Sequence, residues 1–183
     1  MNTNNLPIFM SNVKLEDNAV SADVPDWIRE KKNFFSWDPS RSLLASIRSY
    51  QCYSVSSNPL IRLVNKITVL RHRFWSVVTG ADIPLNSKLG GGLLLPHPNG
   101  IVIHPEAVIG PNCLIFQQVT IGTRSGSEPP KIGGHVDIGA GAKILGAITI
   151  GNHANIGANA VVLKDIPAGK NAVGIPARII GDQ

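Results

Sequence analysis

The chain has little of what anchors, staples or exports a protein. No apolar run approaches the roughly 20 residues needed to span a bilayer, and Met1-Asn2-Thr3-Asn4-Asn5 has neither the basic start nor the apolar centre of a secretory leader. Both absences predict a cytoplasmic protein without a transmembrane segment. Its two cysteines, Cys52 and Cys113, lie far apart without CxxC spacing, which argues against a disulfide framework or a structural zinc. Arginine-glycine tracts, RNA-binding signatures and zinc-finger spacing are also missing, so the net charge of +5 is not the footprint of a nucleic-acid partner. Much of that charge is spread over Arg29, Lys31, Lys32, Arg41, Arg48, Arg62, Lys66, Arg71 and Arg73, and a phosphate-bearing small ligand would use it more economically. No pair among the five histidines has metal-site spacing, and no metal is expected, although a trimer interface offers a way to assemble one from different chains.

What the chain does have is a period of six. Ile132, Ile138, Ile144, Ile150, Ile156 and Val162 recur at every sixth position, and Gly133, Gly139, Gly151 and Gly157 follow four of them. A helix repeats near 3.6 and a flat strand near 2, so this period fits neither as a single amphipathic element. It fits a parallel β-helix, in which one aliphatic side chain per hexapeptide points inward and small residues turn the corners. Ala142, Ala154 and Ala160 are those small residues, with Ile148 as the bulkier exception, and Cys113 fills the same position as core filler. Two upstream blocks keep the period: Ile103, Ile109, Ile115, Ile121 and Ile83, Leu89, Leu95, Ile101. The phase slips by two residues between Ile101 and Ile103 and by five between Ile121 and Ile132, where Arg124 to Pro130 form a loop thrown out of the coil.

Three regions follow. Residues 1–24 are polar and irregular, a flexible tail or an arm laid on a neighbour. Residues 25–80 are a helical segment: a short helix around Trp27 and Ile28, then two helices opened by Asp38-Pro39 and Asn58-Pro59, where the Asx side chain caps and proline fits the first turn. The second carries Leu60, Leu63, Val64, Ile67, Leu70, Phe74 and Val78 at helical spacing and stops at Gly80. Arg62, Lys66 and Arg73 on its opposite face are a solvated surface, preferred here over a helix lying on a membrane. Residues 81–183 are the coil, whose last segment, Ile175 to Ile180, folds back over the coil's open end.

A β-helix does not specify function, so the breaks in the repeat carry the chemistry. The informative one is Leu95-Pro96-His97-Pro98-Asn99-Gly100, which holds a histidine rigidly between two prolines. An imidazole with a pKa of about 6.5 takes a proton from a hydroxyl that attacks a carbonyl, given an orienting partner on its other nitrogen. Asp82 is the candidate partner. It lies fifteen residues earlier, close to one coil turn of about eighteen, so the two are nearly stacked across a rung spacing of about 4.8 Å. The same residues also suit a surface turn and a coil cap, and spacing alone does not separate the two readings.

Asp82-Ile83-Pro84, His97, Gly100-Ile101-Val102-Ile103, Gln118-Val119-Thr120-Ile121-Gly122, Ile138 to Gly146 and Gly174-Ile175-Pro176-Ala177-Arg178 resemble the serine acetyltransferase branch of the hexapeptide-repeat acyltransferases. The resemblance covers about residues 81–181. It implies a left-handed β-helix, homotrimers with the active site between adjacent coils, and a dimer of trimers where the helical segment allows one. It also implies a catalytic dyad of His97 and Asp82, with His97 as general base. Acetyl-CoA would lie along the coil, its pantetheine near Gly122, Ala140 and Ala158 and its phosphates near Lys164 and Arg178, while Asn99 and Arg124 would hold a small hydroxyl-bearing acceptor.

Two departures bear on that acceptor. In the family an aspartate precedes the catalytic histidine and Arg-His precedes Pro-Lys-Ile, whereas here Pro96 precedes His97, and Glu128-Pro129 precedes Pro130-Lys131-Ile132 in a shorter loop. The acid-base apparatus is kept while the amino-acid clamp is changed, so the expectation is acetyl transfer from acetyl-CoA to the hydroxyl of L-serine or a similar small acceptor, with a sugar hydroxyl in polysaccharide synthesis as a near-equal alternative and a non-catalytic trimeric scaffold behind both. A covalent acetyl-enzyme is not expected, since no activated Ser or Cys motif is present. Nor is the family's partnership with the next enzyme of cysteine synthesis, which uses an extended tail ending in isoleucine, because this sequence ends in Gly181-Asp182-Gln183.

Overall fold

Short strands of two or three residues can bury only one side chain each, so the coil gains stability by stacking them. The structure, a computed structural model, describes residues 20–33, 35–54 and 58–181; most of the tail expected over residues 1–24 lies outside them. Its strands are β1 (Lys88–Leu89), β2 (Val102–Ile103), β3 (Val108–Ile109), β4 (Leu114–Ile115), β5 (Thr120–Gly122), β6 (Lys131–Ile132), β7 (Asp137–Ile138), β8 (Lys143–Leu145), β9 (Thr149–Ile150), β10 (Asn155–Ile156), β11 (Val161–Val162), β12 (Asn171–Val173) and β13 (Arg178–Ile180). They form three sheets, β1-β3-β6-β9, β2-β5-β8-β11 and β4-β7-β10-β12-β13, parallel except for the antiparallel β13. These are the first, second and third faces of a left-handed parallel β-helix.

The register keeps a record of the breaks. Lys131 pairs with Thr149, an offset of eighteen. Lys88 pairs with Val108, an offset of twenty, and Val108 with Lys131, an offset of twenty-three. The two extra residues enter in the bend from Pro96 to Gly100 and the five extra in the loop from Arg124 to Pro130, and pairing resumes in phase after each. Every aliphatic residue of the three hexapeptide blocks is buried, together with Ala107, Cys113, Ala142, Ala154 and Ala160. Burying each large aliphatic side chain stabilises the fold by about 1.5–3 kcal/mol. The corners require left-handed backbone, which Asn112 (φ 60°) and Asn159 (φ 56°) tolerate better than most residues.

The helical segment packs against the upper coil. Trp27–Glu30 is a single 3₁₀ turn; α1 (Pro39–Tyr53) and α2 (Pro59–Thr79) follow. Asp38 caps α1 by accepting from the Arg41 amide at 3.0 Å, and Asn58 caps α2 by accepting from Leu60 at 2.9 Å. Gly80 ends α2 at φ 65°. Leu43, Leu44 and Ile47 of α1 join the coil's core. Arg48 donates to the Leu89 and Gly90 carbonyls at 2.7 and 2.6 Å while paired with Glu30 at 2.8 Å. Buried Asn112 binds the amide of Asp26 and the carbonyls of Ser21 and Val24, so the described residues 21–26 lie on the chain's own coil.

α2 orients differently from what its hydrophobic pattern suggests. Thr68 and Thr79 are its buried residues, with Asn65, His72 and Trp75 partly covered beside them, whereas Leu60, Leu63, Ile67, Leu70 and Phe74 are exposed. The helix is held by its more polar side because that side meets α1 and the first coil turn. Among the described residues no helix is long and apolar enough to cross a membrane.

Candidate active site

The Pro96–Gly100 bend sits on the corner between the third and second faces, and the coil stacks that corner turn upon turn. Gly100 donates to the Gly80 carbonyl at 2.8 Å, Gln118 to Asn99 at 2.9 Å, Gly141 to Gln117 at 2.8 Å and Asn159 to Ala140 at 2.8 Å. The Gly174–Ala177 turn follows, through Val161 to Gly174 at 3.0 Å and Ala177 to Val161 at 2.8 Å. The bend therefore heads a ridge that descends through Ala140 and Ala158 to Arg178, and three rungs at about 4.8 Å place Ala158 about 15 Å below it. Ala140 and Ala158 keep the ridge low, which suits an extended ligand arm lying along it.

His97 is exposed beside a cleft of about 440 Å³. Trp37 and Ser40 at the start of α1, Val78 and Thr79 at the end of α2, and Asn99 on the bend line it with His97. No lysine or arginine is among its lining residues, and the cleft's one carboxylate, Asp38, is paired with Arg41 at 2.9 Å. Asn99 is fixed by a hydrogen bond from the Gln118 side-chain amide at 3.0 Å.

Asp82 sits at the top of the second face, where it bridges Val102, and it is exposed. Among the described residues neither its carboxylate nor the His97 ring has a hydrogen-bond partner. Its described electrostatic neighbour is His72, whose Nε2 donates to the Ile83 carbonyl at 2.9 Å. Burial lowers the His72 pKa below its ordinary value, and the Ile83 bond and the Asp82 charge only partly oppose this. His72 is thus a neighbour of the site that sequence reading placed merely on a basic helix. The available signal was its helical spacing with Thr68 and Thr79.

The other expected residues lie across the second face. Gly122 closes β5 on the far edge, where its carbonyl accepts from Gly146 at 2.9 Å, and Arg124 begins the exposed loop that follows. Lys164 follows β11 on that same edge. One edge thus carries His97, Asn99, Ala140, Ala158 and Arg178, and the other carries Gly122, Arg124 and Lys164. On the remaining corner His135 and His153 stack with their Nδ1 atoms 2.8 Å apart; among the described residues no three His, Cys, Asp or Glu side chains gather as a metal site.

A three-faced coil of hexapeptide rungs, interrupted by a proline-clamped histidine that heads a ridge of small residues, defines the hexapeptide-repeat class of left-handed β-helix. Residues 129–164 match the family model for the bacterial transferase hexapeptide (six repeats). Over 175 residues the chain is 34% identical to the serine acetyltransferase of Staphylococcus xylosus, an alignment covering 94% of this chain and 78% of that one. The chain belongs to the serine acetyltransferase family. It spans only 33% to 57% of the length of other curated serine acetyltransferases. Among solved structures it resembles the Neisseria gonorrhoeae serine acetyltransferase in complex with serine, at TM-score 0.66 and 34% identity, over 79% of this chain and 58% of that one. It is equally similar to the Brucella abortus serine acetyltransferase in complex with coenzyme A, at TM-score 0.66 and 34% identity, over 78% and 56% of the two chains.

Proposed function

We propose that this protein is an acetyl-CoA-dependent O-acetyltransferase that transfers acetyl directly to the hydroxyl of L-serine or a similar small acceptor. The observation that carries this reading is His97, clamped between two prolines in an open cleft at the head of a ridge leading to Arg178. The relatives solved with serine and with coenzyme A support the choice of both substrates.

Acetyl-CoA supplies the thioester, and the chain supplies proton handling and orientation. Neutral His97 takes the acceptor's proton as the hydroxyl oxygen attacks the thioester carbonyl, and returns it to the departing sulfur. Asp82 supports the imidazolium by charge. A backbone amide near Gly122 of a neighbouring copy stabilises the developing oxyanion, while Lys164 and Arg178 meet the CoA phosphates. Asn99 and Arg124 hold the acceptor. The working unit is a cytoplasmic trimer with a site between each pair of coils.

Release of free thiol from acetyl-CoA, measured with L-serine and with a panel of sugars, tests this directly. His97→Ala is expected to lower turnover by ~10²-fold or more, and normal turnover in that variant would exclude the mechanism. A sugar hydroxyl is the second reading, and the cleft itself favours it. Within one chain the lining offers no cation for a carboxylate, which leaves serine's carboxylate to Arg124 of a neighbouring copy, whereas a neutral sugar needs no such partner. Thiol release with sugars but not with serine would establish it.

A further inference from the structure

The apolar face that α2 turns outward needs an occupant. Ile67 is 62% exposed, Leu70 69%, Phe74 55% and Val77 83%, a continuous stripe along the outer side of the helix. Along one flank of this stripe run Arg62, Lys66 and Arg73, all exposed, and the helix from Pro59 to Thr79 contains no Asp or Glu. At its C-terminal end Phe74 packs edge-on against Trp75 at 5.0 Å, and Trp75 against the exposed Trp37 at 5.5 Å.

We propose that α2 is a membrane-surface helix, with its apolar stripe seated in the interfacial layer of an anionic phospholipid bilayer and its basic flank on the headgroups. An amphipathic helix with cations beside an apolar face and aromatic rings at one end has the chemistry of that layer. Charge favours an anionic surface as that occupant: three cations flank the stripe and the helix has no acid to neutralise them. Val78, at the end of the stripe, also lines the His97 cleft. Docking therefore places the cleft at the lipid surface, where it meets acceptor hydroxyls carried on membrane-borne molecules. That last step rests on the proposed transferase activity; the docking does not.

Co-sedimentation of the full chain with vesicles tests it. The protein is expected to pellet with phosphatidylcholine vesicles containing phosphatidylglycerol, and to bind pure phosphatidylcholine vesicles at least ~10-fold less. Ile67→Glu with Leu70→Glu should abolish pelleting, and Lys66→Glu with Arg73→Glu should remove the preference for the anionic lipid. Thiol release with a soluble acceptor should survive in both variants, which separates failure of docking from failure of catalysis. Absence of the wild-type protein from the vesicle pellet overturns the proposal, as does an Ile67→Glu, Leu70→Glu variant that pellets like wild type. Halving of the particle mass in that variant, with no vesicle binding by wild type, would assign the stripe to a second copy instead.

Discussion

The two cysteines occupy opposite environments. Cys113 is buried on a coil corner with its Sγ 3.2 Å from the Gly133 carbonyl, and burial pushes its thiol up to about 11, whereas Cys52 is exposed near the end of α1. Only the thiolate reacts, so at pH 8 Cys113 keeps on the order of a thousandth of its thiol ionised. A disulfide reagent is expected to titrate one fast thiol in the native protein and a second only in denaturant; two fast thiols would show that the corner opens. At this scale the sequence was informative where a residue breaks the repeat. The proline-clamped His97 stood out for that reason. Its relation to Asp82 was less legible, because the corner adds two residues to the turn and sets the bend over Gly80 while Asp82 bridges Val102.

At the scale of elements, α2 is fastened to the coil through His72, whose Nε2 proton reaches the Ile83 carbonyl. Its folded pKa lies below the ordinary 6.5, chiefly because burial penalises the charged ring. Stability from this group is therefore present above pH 6.5 and lost as pH falls through the lower folded value. Chemical denaturation of wild type should show falling stability below pH 6.5, and His72→Gln should flatten that slope; an unchanged slope would clear His72 of the effect. The strands were legible because a six-residue period permits few other structures, and the inward residues follow from that period. The facing of α2 was not. An apolar stripe signals that something covers it but not what does, and within one chain Thr68, His72 and Thr79 make the contact instead.

For the whole molecule, the proposed trimer divides labour between copies, the histidine edge of one coil working with the glycine edge of the next. A Cβ at Gly122 would meet only Leu145, at 4.0 Å, so Gly122→Ala should fold and melt like wild type yet lose thiol release, because the methyl enters the shared site. Mixing unfolded Gly122→Ala and His97→Ala chains and refolding them together should restore activity, since some interfaces then pair an intact histidine edge with an intact glycine edge. Two inactive variants that stay inactive on mixing would place the site within one chain.

The coil resumes its rung pairing after a two-residue excess at one corner and a five-residue excess at another, so chain length at a corner is invisible to the layers above and below. In evolutionary terms such corners are neutral ground. A lineage can trade the Arg124–Pro130 loop for a longer or differently charged one, and so, under the proposed function, change the acceptor, while the inherited instructions for folding stay the same.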